Sequence, residues 1–231
     1  MKAGWLEFLG LALQAAPVQP WVKGKIVPKF SYREDFGMFW PETDHCPEKC
    51  HHRVMARHTD ADEVTRRCAN RRLAIQAGGH AGVWANRLAK SFKQVLSFEP
   101  DPNLFQCLKR NTSKAKNIQV FEQALGEHSG QARMLPHSSA GSWRIDPSGP
   151  VEVSMTLIDY LGLAQCDALL LDIEGYELKA LEGARRTIER FRPVILLEEG
   201  KRKHEIREHM QKEFNYKMDF KIHDDAVFIP A

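Results

Sequence analysis

The chain has 231 residues, 43% of them hydrophobic and 27% charged, a mix that excludes disordered, collagen-like and coiled-coil chains. The net charge of +3 is too small to argue for nucleic acid by itself, and no apolar run approaches the roughly 20 residues of a membrane span. The five cysteines, Cys46, Cys50, Cys68, Cys107 and Cys166, have no regular spacing, so they suggest reduced thiols and a cytoplasmic protein rather than a disulfide framework.

Residues 1–16 read as a short amphipathic helix with Trp5, Leu6, Phe8, Leu9 and Leu13 along one stripe. Glu7 interrupts the apolar run that a signal peptide would need. Up to residue 70 the chain is punctuated by Pro17, Pro20, Pro28, Pro41 and Pro47. We read 1–70 as an irregular extension or lid, not an independent domain, and 71–231 as the regular domain. Residues 73–77 predict a buried strand ending at Gly78-Gly79, and 81–92 a helix carrying Val83, Trp84, Leu88 and Phe92. A second strand over 95–99 is stopped by Pro100 and Pro102. A helix is expected over 102–111, a third strand over 118–121, and short β segments with loops over 130–154. Residues 168–172 form a continuous apolar strand ending in an acid, 175–190 a single helix through Leu178, Leu181 and Ile188, and 193–198 another apolar strand. A polar helix over 202–213 precedes two segments, 216–222 and 226–229, whose short His223-Asp224-Asp225 connection predicts an antiparallel hairpin.

Alternating apolar strands and helices predict a mostly parallel α/β sheet covered on both faces. Such sheets bind ligands beyond the carboxyl ends of their strands. Three stretches there carry chemistry. The Gln76-Ala77-Gly78-Gly79-His80-Ala81-Gly82 turn lets backbone approach a ligand and opens a helix whose first N–H groups favour an anion. Glu99 lies 21 residues after Gly78, the distance at which an acid accepts hydrogen bonds from a ribose diol; Asp101 also fits as a helix cap. Asp172, Glu174 and Glu177 stand at or just past the end of an apolar strand, where carboxylates can orient a substrate, hold a cation or take a proton. Dipole stabilisation at a helix start suffices for Glu177, whereas Asp172 should face the crevice. Turn and acid together favour an adenosine-type ligand without distinguishing S-adenosylmethionine from a dinucleotide.

The ordered set of 74–82, Ser97-Phe98-Glu99-Pro100-Asp101-Pro102, Gln123-Ala124-Leu125-Gly126, Thr156-Leu157-Ile158-Asp159, 171–178, Leu181-Glu182-Gly183-Ala184 and 192–198 resembles the FkbM-type S-adenosylmethionine-dependent methyltransferases. The resemblance covers about residues 71–200, and the Gln76-Ala77-Gly78-Gly79 variant is similar to that of members carried by bacteriophages. It implies a Rossmann-like class I methyltransferase fold and S-adenosylmethionine as cofactor. It further implies that Gly78 to Gly82 cradle the methionine part, Glu99 holds the ribose, and Glu122, Gln123 and Ala124 border the adenine with Pro100 and Asp101 nearby. Asp172 and Glu174 would face the transferred methyl group and the acceptor, with Glu198 and His204 as outlying candidate bases. O-methylation of a small-molecule, sugar or lipid hydroxyl is the implied default. The chain departs from the family pattern at Gln76, where Asp is usual, and at His80, where Asn is frequent. Gln76 offers a carbonyl acceptor but no charge, and His80 suits a supporting hydrogen bond better than a catalytic base.

His45-Cys46, Cys50-His51-His52 and His58 collect soft and imidazole groups, yet the spacing matches no zinc pattern and no metal is expected. The alternative is a loop of exposed histidines, which Phe39-Trp40-Pro41 would help close over the cofactor. Arg66-Arg67, Arg71-Arg72 and Lys201-Arg202-Lys203 read as solvated faces, with a phosphate-bearing or nucleic-acid acceptor the less favoured reading. The rival functions are a nicotinamide-dependent oxidoreductase, against which the terminal hairpin speaks, and a non-catalytic adenosyl-binding module, which Gln76 keeps open.

Overall fold

In a parallel strand buried on both faces, successive side chains serve opposite layers. Leu73–Ala77 does this with all five residues buried. Leu73, Ile75 and Ala77 join one hydrophobic cluster, and Ala74 joins the other. The computed structural model describes residues 31–42, 50–137 and 142–231, so the expected helix over 1–16 lies outside the described residues.

The strands are β1 (Tyr32–Asp35), β2 (Met38–Pro41), β3 (Leu73–Ala77), β4 (Gln94–Phe98), β5 (Ile118–Phe121), β6 (Ala124–Leu125), β7 (Gly130–Leu135), β8 (Arg144–Ile145), β9 (Val151–Thr156), β10 (Ala168–Leu171), β11 (Val194–Glu198), β12 (Tyr216–Ile222) and β13 (Asp225–Pro230). The α-helices are α1 (Cys50–Ala56), α2 (Asp60–Arg67), α3 (Val83–Leu88), α4 (Pro102–Thr112), α5 (Glu177–Glu182), α6 (Arg185–Phe191) and α7 (Lys203–Phe214). The main sheet has seven strands in the order β12-β13-β11-β10-β3-β4-β5. Only β13 runs against its neighbours, pairing antiparallel with both β11 and β12, as the expected terminal hairpin requires. α5, α6 and α7 bury Leu181, Ile188, Ile206 and Phe214 on one face. α2, α3 and α4 bury Val64, Trp84, Leu88 and Leu108 on the other.

The chain winds outward from β3 through β4 to β5 and later returns to β10 beside β3. The order therefore reverses between β3 and β10, and a crevice opens at their carboxyl ends. The turn after β3 lies against the end of β10: a Cβ on Gly78 would sit 1.9 Å from the Asp172 carbonyl oxygen, and its φ is +78°. Only glycine fits both demands.

Two helices differ from the sequence reading. The helix expected over 81–92 is confined to α3, with Gly82 at φ +88° preceding it, although Phe92 still enters the core from the following loop. The helix expected over 175–190 is two helices. A Cβ on Gly183 would lie 1.9 Å from the Gly126 carbonyl oxygen, and the Gly183 carbonyl accepts from Asp159 N. The Asp159 carboxylate then accepts from the N–H groups of Arg186 and Thr187 and starts α6. Residues 130–154 supply β7 and β8 and part of β9, which with β6 form a separate four-stranded sheet.

Before Arg71 the described residues form the β1–β2 hairpin and two helices, regular pieces that the prolines conceal in the sequence. Asn111 of α4 pins the hairpin, accepting from Phe39 N and donating to Phe39 O. The Arg110 guanidinium lies 3.8 Å from the Phe39 ring centroid. Trp40 is 1% exposed, and its indole donates to Asp35 O. Phe39 and Trp40 thus clamp the hairpin to α4 and do not line the cavity.

Candidate active site

The carboxyl ends of β3, β4 and β10 open into a cavity of about 290 Å³, near the lower edge of the usual range for small-molecule sites. Of the residues singled out in the sequence, Gln76, Ala77, Gly78, Gly79, His80, Glu99, Pro100, Asp101, Gln123, Ala124, Asp172 and Glu174 line it. Gly82 and Glu122 do not. Gly82 turns away onto α4, where a Cβ would touch Leu108 and Thr112. Glu122 follows β5 outside the lining, close enough to feel the Lys109 charge. His204, the outlying base candidate, is exposed on α7 away from the cavity; Glu198 lines it.

Glu99 is 5% exposed. One carboxylate oxygen accepts from His80 N at 2.8 Å and the other from Asp101 N at 2.9 Å. Each oxygen has a further lone pair, so two backbone amides aim this acid while leaving it able to accept more. Burial pushes its pKa up to about 8 against those hydrogen bonds, with the Asp101 and Asp172 charges adding to the rise. Asp101 is itself occupied: it caps α4, accepting from Asn103 N and Leu104 N. His80 holds φ +46°, a conformation that costs a non-glycine residue about 1 kcal/mol or more. The turn therefore holds its backbone where the His80 amide reaches Glu99.

Gln76 differs in role from the sequence reading. Its amide nitrogen donates to Gly78 O at 2.6 Å, and its carbonyl oxygen accepts from Ser97 Oγ at 2.6 Å. The side chain is 1% exposed. Its carbonyl oxygen is tied to β4, and its donor braces the glycine turn, which a carboxylate could not do.

Across the cavity stands a wall of acids. Asp172 follows β10, Glu198 ends β11 and Asp225 begins β13. Leu171 pairs with Leu197, and Glu198 with Asp225, so the three carboxyls form a row over adjacent strands. Glu174 joins from the loop, held at φ +55°. Glu177 Oε1 accepts from Ile173 N and Gly175 N and fixes that loop from beneath. Burial raises Asp172 to about 7, and the charges of Asp225 and Glu174 add to it. Burial together with Asp172 raises Glu198 to about 8. Glu174 is raised to about 7 by burial and by Glu198. Asp172 and Glu198 thus crowd one another at the ends of adjacent strands.

Several lining groups left no mark that sequence reading could use. Arg53 and Val54 arrive from α1 and Arg57 from the turn after it, while Met134 and Ile145 come from the small sheet and Trp143 from just before β8. Arg57 pairs with Asp224 at 2.9 Å, tying α1 to the β12–β13 turn. The histidine run is only partly visible. His45 and Cys46 lie outside the described residues. His51, far from an exposed loop, is 5% exposed. Arg33 donates to its Nδ1 at 2.9 Å, which makes Nε2 the N–H that bonds Asp35 at 2.9 Å. Both ring nitrogens are thus spent on a brace beneath Trp40. Four side chains of the basic clusters are in ion pairs: Arg66 and Arg67 with Glu63, Arg72 with Asp167 and Arg202 with Glu205. Among the described residues no helix is long and apolar enough to cross a membrane.

Residues 76–220 match the methyltransferase FkbM domain, and the chain belongs to that family. Its fold is the Rossmann-like class I methyltransferase fold. It is similar to the methyltransferase FkbM from Methylobacillus flagellatus KT, with 19% identity and a TM-score of 0.53 over 69% of this chain and 43% of that one. The chain thus spans less than half the length of that protein. It is also similar to M. jannaschii TYW2 in complex with AdoMet, with 14% identity and a TM-score of 0.45 over 91% of this chain and 90% of that one. A third similar structure is an rRNA methylase from Streptococcus thermophilus, with 13% identity and a TM-score of 0.45 over 77% of this chain and 95% of that one. No curated protein matches the sequence.

Proposed function

We propose that the protein transfers a methyl group from S-adenosylmethionine to a hydroxyl of a small-molecule, sugar or lipid acceptor. The observation that carries this reading is a buried acid just past β4, aimed by the glycine turn after β3 into a cavity whose opposite wall is acidic. The residues present suit the cofactor. Glu99 retains acceptor capacity for a ribose diol, and Phe98, Leu104 and Leu125 give the same side of the cavity an apolar lining. Gln123 and Ala124 border that end, where an adenine would lie. The cofactor, when bound, supplies an activated methyl on a sulfonium. The protein then has to align the acceptor and exclude water. Asp172 and Glu174 are placed to orient a hydroxyl and take its proton, and their raised pKa values sit near neutrality as a general base requires.

Calorimetric titration with S-adenosylmethionine and with NAD tests the reading directly. Binding of the first alone, weakened at least about tenfold in Glu99→Ala, is expected. Unchanged affinity in that variant removes the ribose role, and preference for NAD removes the function.

A further inference from the structure

We propose that Asp172, Glu174 and Glu198 form a binding site for a divalent cation of the hard, oxygen-preferring kind, Mg²⁺ or Mn²⁺. One oxygen from each of the three lies within 4.8 Å of the others, close enough for a single ion to draw all three into its shell. A second observation points the same way. Asp225 is 1% exposed, and neither of its oxygens has a hydrogen-bond partner. It is the cross-strand partner of Glu198, so its carboxyl lies on the same side of the sheet, against the cluster. Buried carboxylates without donors are costly unless a counter-charge is present. The nearby arginines supply it incompletely, since Arg57 is bonded to Asp224. An all-carboxylate donor set with no sulfur or imidazole selects Mg²⁺ or Mn²⁺ over zinc.

Three carboxylates fill half of an octahedral shell and leave adjacent positions for water or for the acceptor. An acceptor with two neighbouring oxygens, such as a vicinal diol, can occupy two of them and present one oxygen to the cavity. This acceptor assignment rests on the proposed methyl transfer, whereas the cation site does not.

The test is a Mn²⁺ titration of the full chain without cofactor, followed by loss of the free-ion paramagnetic resonance signal. One ion per chain is expected, with a Kd below about 100 µM. Glu198→Gln and Asp172→Asn should each weaken it at least about tenfold, while Glu205→Gln, at an exposed pair on α7, leaves it unchanged. No saturable binding by the wild-type chain overturns the site. Equal binding by Glu198→Gln and Asp172→Asn, with both variants folded by circular dichroism, overturns it as well. Titrating S-adenosylmethionine in the presence of a chelator keeps the two readings apart: loss of cation binding with cofactor binding intact rejects only the site, and the converse rejects only the cofactor.

Discussion

The two walls of the cavity hold buried acids in opposite ways. On the β3–β4 side Glu99 receives a backbone N–H on each oxygen, and Gln76 braces the turn that delivers one of them. On the β10–β11–β13 side Asp225 receives none, and the charges around it are the acids Glu198, Asp172 and Asp60 with Arg57 and Lys221 only partly offsetting them. Protein donors organise the first wall in advance. The second has surplus negative charge, and that surplus is an affinity for whatever positive species or proton enters. A class of residue, the buried acid at a strand end, thus yields a fixed acceptor on one side and a tunable charge on the other.

The sharpest way to break this arrangement is at the point where the walls touch. Gly78→Ala adds a Cβ 1.9 Å from the Asp172 carbonyl oxygen at φ +78°. The left-handed backbone costs about 1–2 kcal/mol by itself, and the clash must push β3 and β10 apart. We expect a loss of at least about 4 kcal/mol in denaturant unfolding, or no folded protein. Gly175→Ala separates the two effects. Its φ is +95° with nothing within 4 Å of the added Cβ, so only the backbone cost of about 1–2 kcal/mol should appear. Equal losses in the two variants would show that contact between the walls does not matter.

A smaller effect is expected at Gln76. Replacing it with Leu removes the donor to Gly78 O and leaves Ser97 Oγ without its acceptor, both in a buried setting. Leaving such groups unsatisfied costs about 1–3 kcal/mol. Thermal unfolding should report roughly 2 kcal/mol, and cofactor affinity should fall because the His80 amide is no longer held toward Glu99. An unchanged affinity would mean that the turn keeps its shape without the brace.

These residues also mark what the sequence could and could not tell. The strand–turn–acid pattern of 73–99 was legible because apolar runs, glycines and a strand-terminal acid each have local causes. Asp101 was legible as a cap for the same reason. Gln76 was legible only in part: it lines the cavity, but its bonds to Ser97 on β4 and to Gly78 in its own turn have no local mark in the sequence. Gly183 explains the split helix only through Gly126, 57 residues earlier. Arg57 and Asp225 reach the site from opposite ends of the chain, and nothing in their neighbours announces it. The prolines before Arg71 hid regular elements because they sit between them rather than within most of them.

The mildest test addresses the acidic wall and has the opposite sign. Asp225 is raised from 3.8 to about 7, first by burial and then by the Glu198 charge. A carboxyl raised in the folded state holds its proton there at pH values where the unfolded chain has released it. Its stabilising contribution is complete below about pH 3.8 and is lost as pH rises through about 7. Asp225→Asn has no such proton to lose, and its amide can donate to Glu198. Below about pH 3.8, with a chelator present, variant and wild type should melt within about 1 °C of each other, since both carry a neutral group in the folded and the unfolded chain. At pH 8.5 the variant should melt higher by about 3 °C or more. A variant less stable than wild type at pH 8.5 would mean that the Asp225 carboxylate is compensated after all, and the contrast between the two walls would lose its physical basis.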